Sequence, residues 1–318
     1  MASRDMRPRI TAPKRSADLT RDVARAPKTK AGRKDDRVEA RPLNKRRHAE
    51  AEEDAGATEA FEDAPLYDWE YRRRRADVAF YQMLADEQGG PIADLGCGTG
   101  RLLVPLAMDG HPIVGVDRSR PMLLRAAQRI RRHKRTLGSR CLLLQGDLRA
   151  LPLAGQFPFV LAAFHTIQHL VDDCDLLQLF RSVHTLLTPT GWFAFDIFFP
   201  DPDWLARPAN RRFDHTVFTH PTTGRKTAYS VSHRMDHARR ALHMRIHYQP
   251  LGDLNQPAGR ARTVRLCHRQ LAPDDVAGLL KAAGLRVLSR WAGFQDEPFD
   301  EAHPHATEQH VYLVGRMP

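Results

Sequence analysis

A carboxylate stands just before a glycine-rich turn in the segment Asp94-Leu95-Gly96-Cys97-Gly98-Thr99-Gly100. Glycines allow a backbone to pass close to a ligand and to adopt φ angles that other residues resist. The G-x-G-x-G spacing differs from the G-x-G-x-x-G of dinucleotide sites, and no Gly-Lys-Ser/Thr follows it, as in a phosphate-binding loop. The carboxylate of Asp94 suits a ligand that presents an ammonium group at this point and no phosphate. S-adenosylmethionine is such a ligand.

Two more aspartates occupy matching positions further along the chain. Asp117 ends the apolar run Ile113-Val114-Gly115-Val116, 17 residues after Gly100, where a carboxylate can accept hydrogen bonds from both ribose hydroxyls of an adenosine. The alternative for Asp117 is a cap for the helix that begins after Ser119. Asp147 can accept a hydrogen bond from the exocyclic amine of adenine while Leu148 packs on the ring. Taken alone, Asp147 would be an ordinary turn aspartate.

The segments around these residues alternate between strand and helix patterns. A helix is predicted over residues 69–87 and ends at Gly89-Gly90-Pro91. The strands and helices that follow are predicted, in order, at 92–95, 101–109, 112–116, 119–133, 141–145, 157–164, 172–187 and 191–199. Such alternation with short turns gives a parallel, doubly wound sheet, in which the ends of the first three strands meet in one crevice.

The alternation stops after residue 200. Three β-leaning runs at 227–233, 241–249 and 262–269 predict a small antiparallel sheet inserted into the main fold. A helix over 272–283 and strands over 285–293 and 310–315 then return to the α/β pattern. We therefore predict the segments 61–200 and 271–318 as the core and 201–270 as an insertion.

The motifs around Asp94, Asp117 and Asp147 resemble the successive motifs of class I S-adenosylmethionine-dependent methyltransferases, and Leu187-Thr188-Pro189-Thr190-Gly191 resembles the Leu-x-Pro-x-Gly entry to the fifth strand of that family. The resemblance covers residues 66–200 and 272–316. It implies a Rossmann-like, seven-stranded sheet whose last strand, at 310–315, is antiparallel. The cofactor-binding residues that it implies are Tyr67, Tyr71, Asp94, Gly96, Cys97, Gly98, Gly100, Asp117, Arg118, Met122, Asp147, Leu148 and Phe164.

The segment Leu66-Tyr67-Asp68-Trp69-Glu70-Tyr71 resembles the N-terminal Tyr-Asp-x-x-Tyr segment of small-molecule methyltransferases. The resemblance implies that Tyr67 and Tyr71 close over the cofactor, and aromatic rings suit a sulfonium cation. The alternative is an amphipathic helix that uses its aromatic side chains for packing. One residue of the run Arg72–Arg75 could meet the cofactor carboxylate, although a solvated face is the simpler interpretation.

The segment after the fourth strand, Phe164-His165-Thr166-Ile167-Gln168-His169, should border the transferred methyl group. Methyl transfer from a sulfonium is an in-line displacement, and a general base helps only where the acceptor must lose a proton. His165 and His169 are the candidates for acceptor positioning or proton removal. The alternative is a pair of histidines that bond to neighbouring backbone carbonyls.

The insertion resembles the antiparallel lid of small-molecule N-methyltransferases, and lids of this type can also form homodimer contacts. Tyr229, His233, Arg245 and Arg265 are predicted either to face the pocket or to form the solvated face of a half-buried sheet. No spacing of histidine and cysteine ligands indicates a metal.

The net charge of +11 is concentrated at the N-terminus, where residues 1–50 hold 16 Lys+Arg and 7 Asp+Glu. Residues 1–60 contain few large apolar side chains and are predicted to be a disordered basic tail. A near-neutral body disfavours a nucleic-acid substrate, because phosphate contacts dominate that affinity. Nucleic acid is therefore a partner only through the tail.

No apolar run reaches the roughly 20 residues of a membrane-spanning helix. The charged N-terminal residues are not predicted to form a secretory signal. The four cysteines are scattered along the sequence, which fits the reducing cytoplasm.

The sequence predicts an enzyme that transfers a methyl group from S-adenosylmethionine to a small-molecule acceptor, at nitrogen or oxygen rather than carbon. Two alternatives stay open: an RNA or protein methyltransferase recruited by the basic tail, and a non-catalytic module that only binds the cofactor.

Overall fold

A computed structural model describes residues 53–209, 211–295, 297–300, 303 and 307–318. Residues 1–52 of the predicted tail lie outside the described residues. The remaining part of the predicted tail differs from the expectation: residues 53–56 are helical and Glu59–Phe61 forms a 3-10 turn. This part is ordered because it packs against the inserted sheet, as described below.

The main sheet has seven strands: β1 (Ile92–Leu95), β2 (Ile113–Asp117), β3 (Cys141–Gln145), β4 (Phe157–Ala162), β5 (Leu187–Phe198), β10 (Leu285–Trp291) and β11 (Gln309–Arg316). Their order across the sheet is β10-β11-β5-β4-β1-β2-β3. Strands β1 to β5 pair in parallel, and β11 pairs antiparallel with both β5 and β10. The predicted seven-stranded sheet with an antiparallel last strand is confirmed.

Helices cover both faces of this sheet, as a parallel sheet requires. They are α1 (Ala64–Glu70), α2 (Ala76–Gln88), α3 (Leu103–Met108), α4 (Arg120–Arg132), α5 (Lys134–Leu137), α6 (Asp173–Leu186), α7 (Pro202–Leu205) and α8 (Pro273–Ala282). One apolar core lies between the sheet and α6 and α8, and a second lies between the other face and α2 and α3. No helix in the described part of the chain is long and apolar enough to cross a membrane.

The single helix predicted over residues 69–87 is wrong. The structure has two helices, α1 and α2, separated by a turn at residues 71–75. The run Arg72–Arg75 has no apolar side chain to bury, so nothing holds it in a continuous amphipathic helix. Arg74 instead binds Asp77, the second residue of α2.

The insertion is a four-stranded antiparallel sheet of β6 (Phe213–Thr219), β7 (Lys226–Asp236), β8 (Ala241–Pro250) and β9 (Arg262–Arg269), in that order. Three of these strands were predicted, and β6 was missed. Its alternation is obscured by a register shift between Phe213 and Thr216, where Asp214 has a φ of 55°. We call this sheet the lid.

Residues 53–63 run along the edge strand β9 of the lid and form what we call the strap. The Glu59 carboxylate accepts a hydrogen bond from the backbone N–H of Arg265 at 2.9 Å and also binds its guanidinium. Glu53, only 8% exposed, binds Arg239 through both carboxylate oxygens at 2.6 and 2.8 Å. Gly56 lies so close to β9 that a Cβ there would be 2.7 Å from the backbone nitrogen of Cys267. An exposed edge strand invites pairing with another chain, and the strap covers this one.

Candidate functional site

The glycine turn after β1 has the backbone conformation that its sequence predicts. Gly96, Gly98 and Gly100 have φ angles of 75°, 54° and 74°. A Cβ at Gly96 would lie 2.5 Å from Cγ2 of Thr166, whereas a Cβ at Gly98 would meet nothing within 4 Å among the described residues. The turn is therefore packed against the core at Gly96 and open at Gly98, where a ligand could approach the backbone.

Asp117, at the end of β2, is held across this turn by two backbone amides. Its Oδ2 accepts from the N–H of Gly98 and its Oδ1 from the N–H of Ser119, both at 2.8 Å. The cap of α4 is the Ser119 hydroxyl, which accepts from the N–H of Met122 at 3.4 Å. Burial raises the pKa of Asp117. Each carboxylate oxygen keeps a lone pair that a vicinal diol could bind.

Asp94, inside β1, is only 2% exposed. Its Oδ2 has no hydrogen-bond partner among the described residues. Burial, and then the negative charge of Asp117, raise the pKa of Asp94 to about 7. A buried carboxylate oxygen without a partner is costly, and an ammonium group would supply both the missing donor and the missing charge. The hydrogen-bond acceptors at this edge therefore fit S-adenosylmethionine.

The remaining cofactor candidates near the strand ends lie as follows. Asp147 follows β3, and its hydrogen bonds from Arg149 lower its pKa. Leu148 packs against the core, while Met122 and Cys97 are buried beneath the turn, at 1% and 6% exposure. The Arg118 side chain points to the strap and binds Asp54 at 3.2 Å. Of these residues, Asp147 offers carboxylate oxygens at the edge.

Three aromatic rings cluster above the glycine turn. The centroid of Tyr71 lies 4.8 Å from that of Tyr67 and 4.7 Å from that of Phe164. Burial raises the pKa of both tyrosines, so both hydroxyls are neutral at physiological pH. The electron-rich faces of such rings suit a cation without competing for its charge.

Helix α1 ties these rings to the turn through Asp68, a residue to which sequence reasoning gave no role. The Asp68 carboxylate accepts from the hydroxyl of Thr99 at 2.6 Å and from the guanidinium groups of Arg125 and Arg129 at 2.7 Å each. The position of Asp68 inside the Tyr-Asp-x-x-Tyr segment is the sequence pattern that could have indicated a role for it.

Two arginines stand beside Phe164. Arg74 belongs to the run Arg72–Arg75, of which one residue was expected to be able to meet the cofactor carboxylate, whereas Arg101 was missed by sequence reasoning. Arg101 binds both oxygens of the fully buried Asp77 at 2.8 and 2.6 Å, and Arg74 binds the same carboxylate at 3.0 Å. The guanidinium carbons of Arg74 and Arg101 lie 4.5 and 5.5 Å from the centroid of the Phe164 ring. Two guanidinium groups share the carboxylate of Asp77, so N–H groups remain that could bind another anion.

Phe164 and His165 adopt left-handed backbone conformations in succession, with φ angles of 60° and 62°. Such strain in two non-glycine residues persists only where the surroundings fix it. Here the fully buried carboxylate of Asp196, on β5, accepts from both backbone amides, at 2.7 Å for Phe164 and 3.2 Å for His165. The turn directs the His165 ring toward Gln309, at 3.2 Å, and toward the lid.

His169 meets the lid through His268, a residue that sequence reasoning did not single out. The two rings lie 4.8 Å apart, and the ring of Phe61 from the strap lies 5.2 Å from that of His169. Burial lowers the pKa of His165, lowers that of His169 to about 4 and lowers that of His268 well below its usual value. All three imidazoles are therefore neutral near pH 7.

The four candidates on the lid separate into two groups. Tyr229 packs against the ring of Tyr248 on the apolar face of the lid, with centroids 5.7 Å apart. His233 is stacked on Trp204 at 3.9 Å, Arg265 is bound to Glu59, and Arg245 is exposed. Of the four, Tyr229 is the one that packs in the apolar cluster between the lid and α1, beside Leu66 and Trp69. Among the residues that the structure describes, no group of three or more His, Cys, Asp or Glu side chains could hold a metal ion.

Residues 92–191 match the model of a family described as a methyltransferase domain. A putative methyltransferase of Bacillus subtilis is 34% identical over 109 residues, which are 34% of this chain and 42% of that protein. The chain thus matches less than half the length of this curated relative. A dTDP-3-amino-3,6-dideoxy-alpha-D-glucopyranose N,N-dimethyltransferase of Streptomyces fradiae is 26% identical over 212 residues, 64% of this chain and 77% of that protein.

The fold resembles solved structures over most of its length. An S-adenosylmethionine-dependent methyltransferase from Clostridium acetobutylicum superposes with a TM-score of 0.63 at 21% identity, covering 80% of this chain and 98% of that one. The two chains therefore share one fold.

Proposed function

We propose that this chain, a class I S-adenosylmethionine-dependent methyltransferase by its fold and its methyltransferase domain, transfers the methyl group to nitrogen or oxygen of a small-molecule acceptor. The observation that carries the proposal is the unpartnered, buried Oδ2 of Asp94, one strand away from the fixed carboxylate of Asp117. One group calls for an ammonium and the other for a diol, and S-adenosylmethionine carries an ammonium on its methionine part and a diol on its ribose.

In this proposal the cofactor spans the ends of β1, β2 and β3. Asp94 binds its ammonium group, Asp117 its ribose hydroxyls and Asp147 its adenine amine. Gly98 allows close approach to the backbone, and the rings of the aromatic cluster surround the sulfonium. The bound cofactor supplies the activated methyl group, so the protein's contribution is orientation and exclusion of water.

We assign the cofactor's carboxylate to Arg74 and Arg101. Their shared partner Asp77 neutralises one of the two charges, and the Phe164 ring, on which Arg74 lies, also borders the proposed methyl site. Arg74 is the more accessible of the two, with 29% of its side chain exposed against 14% for Arg101. The exposed edge of its guanidinium can therefore meet a ligand while its bonds to Asp77 and Gln309 stay in place.

We expect Arg74→Gln to abolish discrimination between S-adenosylmethionine and its decarboxylated form. A hydrogen bond between charged groups contributes about 1.5–3 kcal/mol, so the wild type should prefer the carboxylated form by about 10- to 100-fold. Titration calorimetry with both ligands measures the ratio. Arg72→Gln is the matched control, because Arg72 lies 4.0 Å over the Trp69 ring and should leave the ratio unchanged. If Arg74→Gln leaves the ratio of the two affinities unchanged, Arg74 does not bind the cofactor's carboxylate.

The acceptor binds, in this proposal, between the aromatic cluster and the apolar face of the lid. His165 and His169 are neutral there, and a neutral imidazole can accept a hydrogen bond or a proton from an amine or a hydroxyl. A carbon acceptor has less use for such a base. The similarity to the Streptomyces fradiae N,N-dimethyltransferase supports nitrogen as the attacked atom.

The direct test is an acceptor screen that monitors formation of S-adenosylhomocysteine. Small amines and hydroxyl compounds should yield the product with the full chain and equally with a chain that starts at residue 53, because the strap is kept. Gly98→Arg, which fills the open side of the turn, should give none. Product with RNA or protein acceptors only, and only while residues 1–52 are present, would contradict the small-molecule proposal. Cofactor binding without product from any acceptor would favour the non-catalytic alternative.

Two further expectations concern the cellular compartment and the oligomeric state. None of the four cysteines, all within the described residues, forms a disulfide, which supports a reducing compartment such as the cytoplasm. A homodimer through the lid remains a prediction.

A further inference from the structure

Asp196 is the most heavily bonded carboxylate around the proposed methyl site. It is fully buried in β5. Its Oδ1 accepts from the hydroxyl of Tyr81 at 2.8 Å and from the N–H of Phe164 at 2.7 Å. Its Oδ2 accepts from the N–H of His165 at 3.2 Å and from Nε2 of Gln309 at 3.0 Å. Every one of these groups acts as a donor in this position, so the network requires a carboxylate.

The side-chain amide of Gln309 has one orientation that satisfies its neighbours. Its nitrogen faces two acceptors, the carboxylate of Asp196 and the carbonyl oxygen of Ile197 at 3.3 Å. Its oxygen faces the guanidinium of Arg74 at 3.3 Å, which is a pure donor. The reversed amide would set donor against donor at Arg74 and acceptor against acceptor at Asp196. Asp196 and Arg74 thus fix Oε1 of Gln309 toward His165.

This orientation determines which nitrogen of His165 carries the proton. Nε2 of His165 lies 3.2 Å from Oε1 of Gln309 and 3.5 Å from Oδ2 of Asp196. Both of these atoms are acceptors, so Nε2 must be the donor. A neutral imidazole has one proton, and the hydrogen bond that the His165 ring makes with Gln309 is at Nε2, which leaves the lone pair on Nδ1.

We propose that Asp196 is a positioning residue that, through Gln309, holds neutral His165 with its proton on Nε2 and its lone pair on Nδ1, ready to take the acceptor's proton. The inference rests on the proposed function and adds the atom that accepts the proton. As the acceptor's nitrogen or oxygen bonds to the methyl carbon, the bond from that carbon to sulfur breaks and its electron pair stays on sulfur. The proton of the acceptor passes to Nδ1, and the imidazolium faces the Asp196 carboxylate.

The same carboxylate also fixes where the ring stands. By accepting from two successive backbone amides, Asp196 holds the left-handed turn at Phe164 and His165. One buried group therefore sets both the position of the base and its protonated nitrogen. Coupling of this kind is typical of residues that orient a catalytic histidine without touching substrate.

The proposal is tested by long-range proton–nitrogen NMR correlations of the chain labelled with ¹⁵N-histidine. These correlations distinguish a protonated from an unprotonated ring nitrogen, and His165→Gln identifies the His165 signals. The wild type should show the proton on Nε2. In Asp196→Asn, the introduced amide keeps its oxygen toward Tyr81 and Phe164, so its NH₂ group opposes Nε2 of Gln309 at 3.0 Å. The Gln309 amide should turn over, because its contacts with Arg74 and with the carbonyl of Ile197 are longer, at 3.3 Å each. Gln309 then donates to His165, and the proton should move to Nδ1.

The same variant has an expected effect on turnover. The turnover number of Asp196→Asn should fall by about 100-fold, within the range for loss of general base catalysis. The dissociation constant of S-adenosylmethionine should stay within about twofold of the wild-type value, because the introduced amide oxygen still accepts from the N–H of Phe164 and so keeps that ring in place.

Tyr81→Phe is the matched control, because it removes another hydrogen bond to Asp196 and leaves Gln309 in place. It should keep the proton of His165 on Nε2. A wild-type signal with the proton on Nδ1, or an Asp196→Asn protein with the proton still on Nε2, would overturn the inference. Should Asp196→Asn fail to fold, the wild-type and Tyr81→Phe spectra still decide it. The NMR result does not depend on turnover, so a failed acceptor screen would count against the proposed function alone.

Discussion

Replacing Asp117 with alanine is expected to weaken the binding of S-adenosylmethionine by at least about 100-fold, since two hydrogen bonds from ribose hydroxyls to a charged acceptor contribute about 1.5–3 kcal/mol each. The carboxylate is already oriented by the amides of Gly98 and Ser119, so the ligand does not have to order it. The substitution also releases the Gly98 amide, which loosens the open side of the glycine turn. Titration calorimetry measures the change.

Asp86→Ala is the control for this prediction. Asp86 is exposed and contacts only His111 among its charged neighbours in the described chain, at 3.2 Å. The variant should bind the cofactor as the wild type does. Thermal unfolding of both variants shows whether weaker binding comes from a lost contact or from an unfolded protein. Unchanged affinity in a folded Asp117→Ala protein would show that the adenosine does not bind at the end of β2.

The affinity for S-adenosylmethionine should also rise with pH, by about 10-fold between pH 5.5 and pH 7, because one pH unit below the pKa corresponds to about 1.4 kcal/mol. In the free protein, burial raises the pKa of Asp94 to about 7 from an ordinary value of 3.8. The protonated form thus stabilises the free fold at low pH, and this contribution is lost as the pH rises through 7. An ammonium ligand needs the carboxylate, so binding must expel the proton and becomes stronger as the proton leaves.

Calorimetry in buffers with different ionisation enthalpies should detect release of a proton on binding near pH 6.5. Asp94→Asn, which cannot ionise, should bind more weakly and lose the dependence on pH. Burial lowers the pKa of His169 to about 4, so that residue does not titrate in this range, and burial also lowers the pKa of His165. A wild-type affinity that does not change from pH 5.5 to 7 would show that Asp94 does not bind the ammonium group.

The parts of the fold that sequence reasoning predicted depend on local patterns. The glycine turn, the buried strands and the Ser119 cap of α4 each arise within a few neighbouring residues, where periodicity, turn residues and capping act directly. Asp94, Asp117 and Asp147 could be grouped because parallel strands present their carboxyl ends at one edge.

The residues that were missed depend on contacts between distant parts of the chain. The network of Asp196, Gln309 and Arg74 exists only because β11 returns antiparallel beside β5 and brings Gln309 opposite Phe198. His268 meets His169 through the packing of the lid on the core. Neither the register of β11 nor the packing of the lid can be read from residues close in sequence. An aspartate inside the apolar run of β5 was the one local irregularity that could have indicated a special role.

The strap has a consequence for assembly. Because Glu59 occupies the outward amide of Arg265 on β9, a second molecule cannot extend the lid by adding a strand at that border. Extension of the lid by a strand of another copy is thereby restricted to the opposite border at β6, and a symmetric pairing of two lids would join β6 to its own copy. Chains shortened past residue 63 would lose this restriction and present a bare strand to their neighbours.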